Sequence, residues 1–112
     1  MSNLQIFRPL GGGAKISADT AIRRARLYIV NKKHQNLRSV DSDTRELILH
    51  VLNSRFGIPP RRLVTAFPWS RTVIYNSIAN GRWKEEHLKP RLIKPKIDDI
   101  VSYLLYNERY LS

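Results

Sequence analysis

Residues 70–81 contain the side chains of this sequence that are best suited to a specific chemical role. That role is hydrogen bonding. Between Ser70 and Gly81 the chain carries hydroxyl, amide and small apolar side chains and no carboxylate. Asn can form two hydrogen bonds with adenine, and the methyl groups of Thr and Ala can contact thymine. Hydroxyl groups can contact phosphates. This composition indicates contact with base pairs rather than a reaction.

The spacing of the apolar residues predicts which of these side chains face outward. On an α-helix of about 3.6 residues per turn, four side chains gather on the inward side. They are Val73, Ile74, Ser77 and Ile78. The outward side then carries Thr72, Tyr75, Asn76 and Ala79.

Arginine and lysine residues flank this outward side and suit contact with phosphates. We assign phosphate contacts to Arg61, Arg62, Arg82 and Lys84, and base contacts to residues 71–80. Arg71 suits either a guanine or a phosphate. Trp83, beside Arg82 and Lys84, can stack on a base or cover the core, and packing is the favoured role. The candidate DNA-binding residues are Arg61, Arg62, Ser70, Arg71, Thr72, Tyr75, Asn76, Ala79, Arg82, Trp83 and Lys84.

The elements that must position these residues form a helix-turn-helix pattern over residues 60–81. Pro60 suits the first position of a short helix over 61–67, which Pro68-Trp69 ends. Ser70 suits the N-cap of a second helix over 71–80, and Gly81 suits its end. A helical hairpin used only for packing is the alternative. The adjacent positive charge favours the DNA-binding interpretation.

Positive charge is concentrated in two blocks of this chain of 112 residues. The 20 Lys+Arg against 9 Asp+Glu give a formal net charge of +11. Residues 1–40 contain eight basic and one acidic side chains, and residues 59–96 contain nine and two. A surface that only maintains solubility usually mixes both signs. The excess charge therefore predicts a polyanionic partner.

The remaining segments predict a single, mainly α domain over residues 17–112, after a flexible arm over 1–16 that contains three consecutive glycines. Amphipathic spacing indicates one helix from residue 18 to about 35 and another from about 41 to 56. Residues 82–95 contain two prolines, so we expect either a loop or a small β-hairpin wing. A closing helix is expected over 96–109.

Enzymatic and metal-binding functions have little support in the sequence. The chain has no cysteine, and His34, His50 and His87 lie far apart. The adjacent carboxylates of Glu85 and Glu86 do not form a typical magnesium site. We therefore expect a non-enzymatic protein without metal or cofactor. The absence of a long apolar segment or signal core predicts no membrane partner and a cytoplasmic or nucleoid-associated location.

Residues 70–81 resemble the recognition helix of small phage and plasmid helix-turn-helix regulators, particularly the excisionase-like winged class. The similarity covers about residues 58–106, and the chain departs from the family pattern at Pro68-Trp69, in its proline-broken wing and in two preceding helices. The resemblance implies sequence-specific DNA binding, with Arg71, Thr72, Tyr75 and Asn76 in the major groove. It also implies that Arg82, Trp83 and Lys84 belong to a wing.

These observations predict a sequence-specific protein for double-stranded DNA, a repressor or activator of transcription in a phage, plasmid or mobile element. A DNA-binding accessory factor for replication, packaging or recombination is the alternative, and a basic RNA-binding protein is the second alternative. A homodimer would double the small footprint. Its interface is expected on the helix over residues 18–29 or on the last helix.

Overall fold

The computed structural model describes residues 16–111 and, within that range, the side chains up to residue 106. This part of the chain forms five α-helices and contains no strand. They are α1 (Ala18–Leu27), α2 (Ser42–Ser54), α3 (Pro60–Ala66), α4 (Arg71–His87) and α5 (Pro90–Leu111). The mainly α fold is confirmed. The arm predicted for residues 1–16 lies, except for Ile16, outside the described residues.

α1 contributes one side to the core. It begins after Ser17, whose Oγ accepts a hydrogen bond from the backbone N–H of Thr20 at 3.1 Å. The chain continues as a π-helical turn over Tyr28–Lys32. The buried side of this element carries Ala21, Ile22, Ala25, Tyr28 and Ile29. The apolar side of α1 is therefore part of the core and is not available as the dimer interface that the sequence suggests on this helix.

α2 is the central helix. Its side chains from Leu47 to Leu52 are all buried, and it packs most extensively against α4. The helix begins after Asp41, whose carboxylate accepts hydrogen bonds from the backbone N–H and the hydroxyl of Thr44. Near its end Gly57 has a φ of +68°, a backbone conformation that favours glycine. α2 is therefore the scaffold on which α1, α4 and α5 pack.

A turn of four residues, 67–70, joins α3 to α4. Pro60 occupies the first position of α3, as the sequence predicts. The rings of Phe67 and Trp69 stack at 4.7 Å between centroids, and Trp69 Nε1 donates a hydrogen bond to the carbonyl of Leu37 at 2.7 Å. Leu63 is fully buried on the inner side of α3. The turn is thus fixed to the core by two aromatic rings.

The helix end predicted at Gly81 is wrong, because α4 continues to His87. Gly81 is buried inside this helix, where it allows the backbone of α2 to approach. The helix ends instead at Leu88, which has extended backbone angles. Lys89 precedes Pro90, and a residue before proline is disfavoured in the helical conformation. A proline, rather than a glycine, therefore ends α4.

The loop or hairpin wing expected over residues 82–95 is also wrong, since this segment is helical except around Leu88 and Lys89. Pro90 occupies the first position of α5, where its missing N–H costs nothing. Pro95 lies inside α5 and removes one backbone hydrogen bond. The burial of Ile93 and Ile97 beside it offsets this loss. The closing helix consequently starts six residues earlier than residue 96.

The inner side of α5 packs against α1 and α2 and completes the core. Its buried residues are Ile93, Ile97, Ile100 and Leu104. Three of these share one helical stripe with Val101, which is half-buried. Among the described residues, no helix has the length and apolar character needed to cross a membrane.

Candidate nucleic-acid interface

The outward side of α4 is open to solvent over most of its length. We call its seven exposed members Arg71, Thr72, Tyr75, Asn76, Ala79, Arg82 and Trp83 the outer face. Tyr75 is 43% exposed and Trp83 is 53% exposed, although large aromatic rings of a small protein usually pack in its core. On the inward side, Ile74, Ser77 and Ile78 are buried and Val73 is half-buried. Helical spacing therefore predicts the two sides of this segment correctly.

The contacts within the outer face leave its hydrogen-bonding groups available. The guanidinium of Arg71 lies 5.9 Å from the ring centroid of Tyr75, a cation–π arrangement. The ring of Trp83 stacks on His87 at 4.7 Å between centroids. Within the described part of the chain, the side chains of Thr72 and Asn76 form no hydrogen bond. Both can therefore bond to a ligand at no cost in existing contacts.

Ser70 has a structural role that is compatible with the predicted one. Its Oγ accepts a hydrogen bond from the backbone N–H of Val73 at 3.2 Å and so caps α4. A cap of this kind stabilises a helix by about 1 kcal/mol. The hydroxyl hydrogen of Ser70 is still able to donate to a phosphate at the exposed start of the helix.

Arg61 and Arg62, which start α3, differ in their contacts. Arg62 forms an ion pair with Asp19, at the start of α1. The Asp19 side chain is 81% exposed, and exposed ion pairs contribute at most about 1 kcal/mol. Arg62 can therefore exchange this carboxylate for a phosphate. Arg61 is exposed and has no ion pair with any described residue.

Lys84 does not belong with Arg82 and Trp83, because α4 turns it toward α2. Its Nζ lies 2.8 Å from the carboxylates of both Asp43 and Glu46, and the side chain is 25% exposed. Burial lowers the pKa of Lys84, but the hydrogen bonds to the two carboxylates outweigh it and raise that pKa. The charge of Lys84 therefore holds α4 on α2, and this geometry does not favour the phosphate contact that the sequence predicts for it.

The adjacent residues Glu85 and Glu86 point in different directions. Arg55 binds Glu85 through two nitrogens at 2.9 and 2.5 Å, and His50 Nε2 lies 2.5 Å from the same carboxylate. These partners, Arg55 first, lower the pKa of Glu85 to about 2 despite partial burial. Glu86 is exposed. Among the described residues, no three potential metal ligands come together.

Glu86 limits the useful length of the outer face. It follows Ala79 by seven residues and Arg82 by four, so it lies on the same side of α4. It is ten residues beyond Asn76, which is about 15 Å along a helix. A carboxylate repels phosphates. The first three turns of α4 are therefore the part of the outer face that suits a polyanion.

Several residues that hold the outer face in place were not among those predicted from the sequence. Arg45 Nε donates to Ser77 Oγ at 2.9 Å, and Asn80 Nδ2 donates to Glu46 Oε2 at 3.1 Å. Together with the Arg55–Glu85 pair, these contacts fix α4 on α2. A polar residue such as Ser77 on an otherwise apolar side is the only sign of such a contact in the sequence.

Comparison of the chain with known protein families, curated proteins and solved structures found no match. The resemblance of residues 70–81 to excisionase-like regulators stays a prediction. The hairpin wing that this resemblance implied is replaced by the end of α4 and the start of α5.

Proposed function

We propose that this protein binds specific sites in double-stranded DNA by placing the start of α4 in the major groove. In this proposal α3, the turn and α4 act as a helix-turn-helix, and the protein regulates transcription in a phage, plasmid or mobile element. The supporting observation is the outer face, an exposed and carboxylate-free helical surface over three turns that is flanked by arginines. An α-helix fits the width of the major groove of B-DNA.

Base recognition is assigned to the middle of the outer face. Asn76 has a free amide that can bond to both N6 and N7 of adenine. The methyl groups of Thr72 and Ala79 suit contact with thymine methyls, and Ala79 also lets the helix approach the bases closely. Arg71 lies at the N-terminal end, where it can reach a guanine or a phosphate.

Phosphate contacts are assigned to arginines at the borders of the outer face. Arg61 is exposed at the start of α3, and Arg82 is exposed on α4. Arg62 contributes after it leaves Asp19. These contacts would set the orientation of the protein on the duplex without reading its sequence. Each neutralised phosphate adds about 0.9 to the slope of log K against log salt.

The decisive experiment is the selection of bound duplexes from a random pool, followed by binding titrations with the selected site and with a scrambled duplex. A selected consensus that is bound much more tightly than the scrambled duplex is the expected result. An excess of structured RNA should compete poorly, because the major groove of RNA is too narrow for α4. Stronger binding to RNA than to duplex DNA would overturn the proposal.

The same surface would also serve an accessory factor of replication, packaging or recombination, since such a protein makes the same contacts with DNA. The position of the selected site separates the two roles. A site that overlaps a promoter favours regulation of transcription, whereas a site at an origin, a packaging start or a recombination junction favours the accessory role.

A homodimer is proposed as the binding unit, because one short helix gives a small footprint. The inner sides of α1 and α5 are already buried, so the interface has to lie elsewhere. The end of α5 offers Tyr106, which is 43% exposed, and Leu105, which is half-buried. Light scattering should give a molar mass near twice the 13.1 kDa of the chain. A monomer at concentrations where DNA binding is tight would contradict the dimer.

A further inference from the structure

A groove with a volume of about 700 Å³ lies beside the turn that leads into α4. One wall comes from the end of α1 and the segment that follows it, with Arg26, His34 and Arg38. The other wall comes from the end of α3 and the turn, with Ala66 and Pro68. None of the residues that line the groove is acidic. The groove is therefore complementary to an anion.

The basic groups in this groove have free hydrogen-bonding capacity. The guanidinium of Arg38 forms no hydrogen bond or ion pair with a described residue, and only its backbone N–H is bound, by Asn36. Arg26 uses Nη1 to donate to the carbonyl of Ala66 at 3.1 Å, which leaves its other nitrogens without a bond in the described part of the chain. His34 forms no side-chain hydrogen bond there. Two arginines can therefore each bind an oxyanion.

The groove is joined to the start of α4 by direct contacts. Phe67 and Pro68 line it, and Ser70 caps α4 two residues later. The hydrogen bond from Trp69 Nε1 to the carbonyl of Leu37 ties the turn to the segment that carries Arg38. The groove and the N-terminal end of the outer face are thus neighbouring parts of one surface.

We propose that this groove holds the phosphodiester backbone of the duplex whose major groove receives α4. This inference rests on the proposed function and adds Arg26 and Arg38 to the surface that contacts DNA. A DNA strand that borders the major groove passes the N-terminus of a helix inserted there. The protein groove lies at this end of α4. Val30, 45% exposed in the same groove, provides an apolar contact for a deoxyribose.

The shape of the groove favours a continuous strand over a small anion. Sites for small ligands usually enclose most of the ligand surface. This groove is instead open to solvent, and His34 and Arg38 on its wall are exposed. A phosphodiester strand needs an open channel because it must enter and leave, and it presents successive charges to successive basic groups.

The test uses Arg38→Gln and the double variant Arg26→Gln/Arg38→Gln in salt titrations with the selected site and with a scrambled duplex. Arg38→Gln should reduce the slope of log K against log salt by about 1, and the double variant should reduce it by about 2. Both duplexes should lose affinity equally. Lys94→Gln is the matched control, because Lys94 is a 72% exposed basic residue on α5.

Arg26 also binds the end of α3, so the double variant can lose affinity because it is less stable. A second measurement therefore relies on Arg38→Gln alone. Single phosphates of the selected duplex are replaced by neutral methylphosphonates. At the phosphate that contacts Arg38, neutralisation should weaken the unchanged protein but leave Arg38→Gln almost unaffected. Full sensitivity of Arg38→Gln at every phosphate would overturn the inference.

The failure of this inference can be distinguished from the failure of the proposed function. In one outcome the groove variants show the same salt slopes and affinities as Lys94→Gln, while Asn76→Ala still weakens specific binding. That result would refute the binding of DNA in the groove and leave the proposed function standing. No specific binding of duplex DNA by the unchanged protein would refute both. Thermal stabilisation by a small anion that depends on Arg38, without any change in DNA binding, would show a different occupant.

Discussion

Gly81 of α4 lies directly against the backbone of Glu46 in α2. A Cβ at position 81 would come within 2.3 Å of the carbonyl oxygen of Glu46 and within 2.6 Å of His50 Cβ. Neither of these atoms belongs to the far end of a flexible side chain. Only glycine therefore allows the two helices to approach this closely at position 81. The contact holds α4 from the side opposite to the outer face.

The first prediction concerns Gly81→Ala. The added methyl group should force α2 and α4 apart and lower the free energy of unfolding by about 2 kcal/mol, as overpacking does. This is a net loss, because the higher helix propensity of alanine by itself raises stability by up to about 1 kcal/mol. Urea denaturation followed by circular dichroism measures it. Asn76→Ala, on the exposed side of the same helix, is the control, and equal stability of the two variants would contradict the prediction.

The features that the sequence predicts correctly depend on local interactions. Ser70 caps a helix because it precedes a segment with helical spacing. Pro60 begins a helix because its fixed φ suits the first position. The inward side of α4 follows from the period of about 3.6 residues alone. None of these conclusions requires knowledge of a partner helix.

The features that could not be predicted depend on contacts between distant residues. A glycine at position 81 is compatible both with the end of a helix and with close approach of a neighbouring backbone. The position of α2, which the sequence does not show, determines that the second applies. Lys84 resembles Arg82 in sequence, but the carboxylates of Asp43 and Glu46 lie more than thirty residues away. The wing is an inference from Pro90 and Pro95, yet Pro90 occupies the first position of α5, where proline is tolerated, and Pro95 lies inside that helix between the buried Ile93 and Ile97.

The second prediction compares Arg82→Ala with Lys84→Ala, two residues apart in α4. Arg82→Ala should reduce the slope of log K against log salt by about 1 and leave stability unchanged, because Arg82 is exposed and assigned to a phosphate. Lys84→Ala should leave that slope unchanged. It should lower the free energy of unfolding by about 1–2 kcal/mol, because Glu46 loses a charged partner in a mostly buried position.

Titrations of binding against salt and urea denaturation of both variants test this contrast. Asp43→Asn provides a second test, since it removes a carboxylate that pairs with both Lys84 and Lys96 without changing α4. It should lower stability and leave the salt slope unchanged as well. A reduced salt slope for Lys84→Ala with unchanged stability would show that Lys84 contacts phosphate after all.

The third prediction addresses base recognition by Asn76. Asn76→Ala should weaken binding to the selected site by about 1–3 kcal/mol and leave binding to a scrambled duplex unchanged, because the lost bonds go to a base. Competition titrations with both duplexes measure the difference. Loss confined to one base pair of the site would identify the adenine. Equal weakening on both duplexes would instead indicate that Asn76 contacts the phosphate backbone.

The fourth prediction concerns the dependence of stability on pH. Folding holds the pKa of Glu85 at about 2, below its ordinary value of 4.5, because Arg55 and His50 bind the ionised form. The unfolded chain therefore takes up this proton at a higher pH than the folded chain. The stabilisation is complete above pH 4.5 and is lost as the pH falls toward 2. One unit of pKa corresponds to about 1.4 kcal/mol. With screening at this partly exposed site, the stabilisation by ionised Glu85 amounts to about 2–3 kcal/mol.

Glu85→Gln isolates this contribution. The difference in the free energy of unfolding between the unchanged protein and Glu85→Gln should be largest above pH 5 and should shrink steadily toward pH 2. Asp41, Asp43 and Asp99 also have lowered pKa values, but they are present in both proteins, so their contributions cancel. Glu86→Gln removes the adjacent exposed carboxylate and is the control for the loss of one negative charge. A difference for Glu85→Gln that stays constant from pH 5 to pH 2 would mean that Arg55 and His50 do not favour the ionised carboxylate.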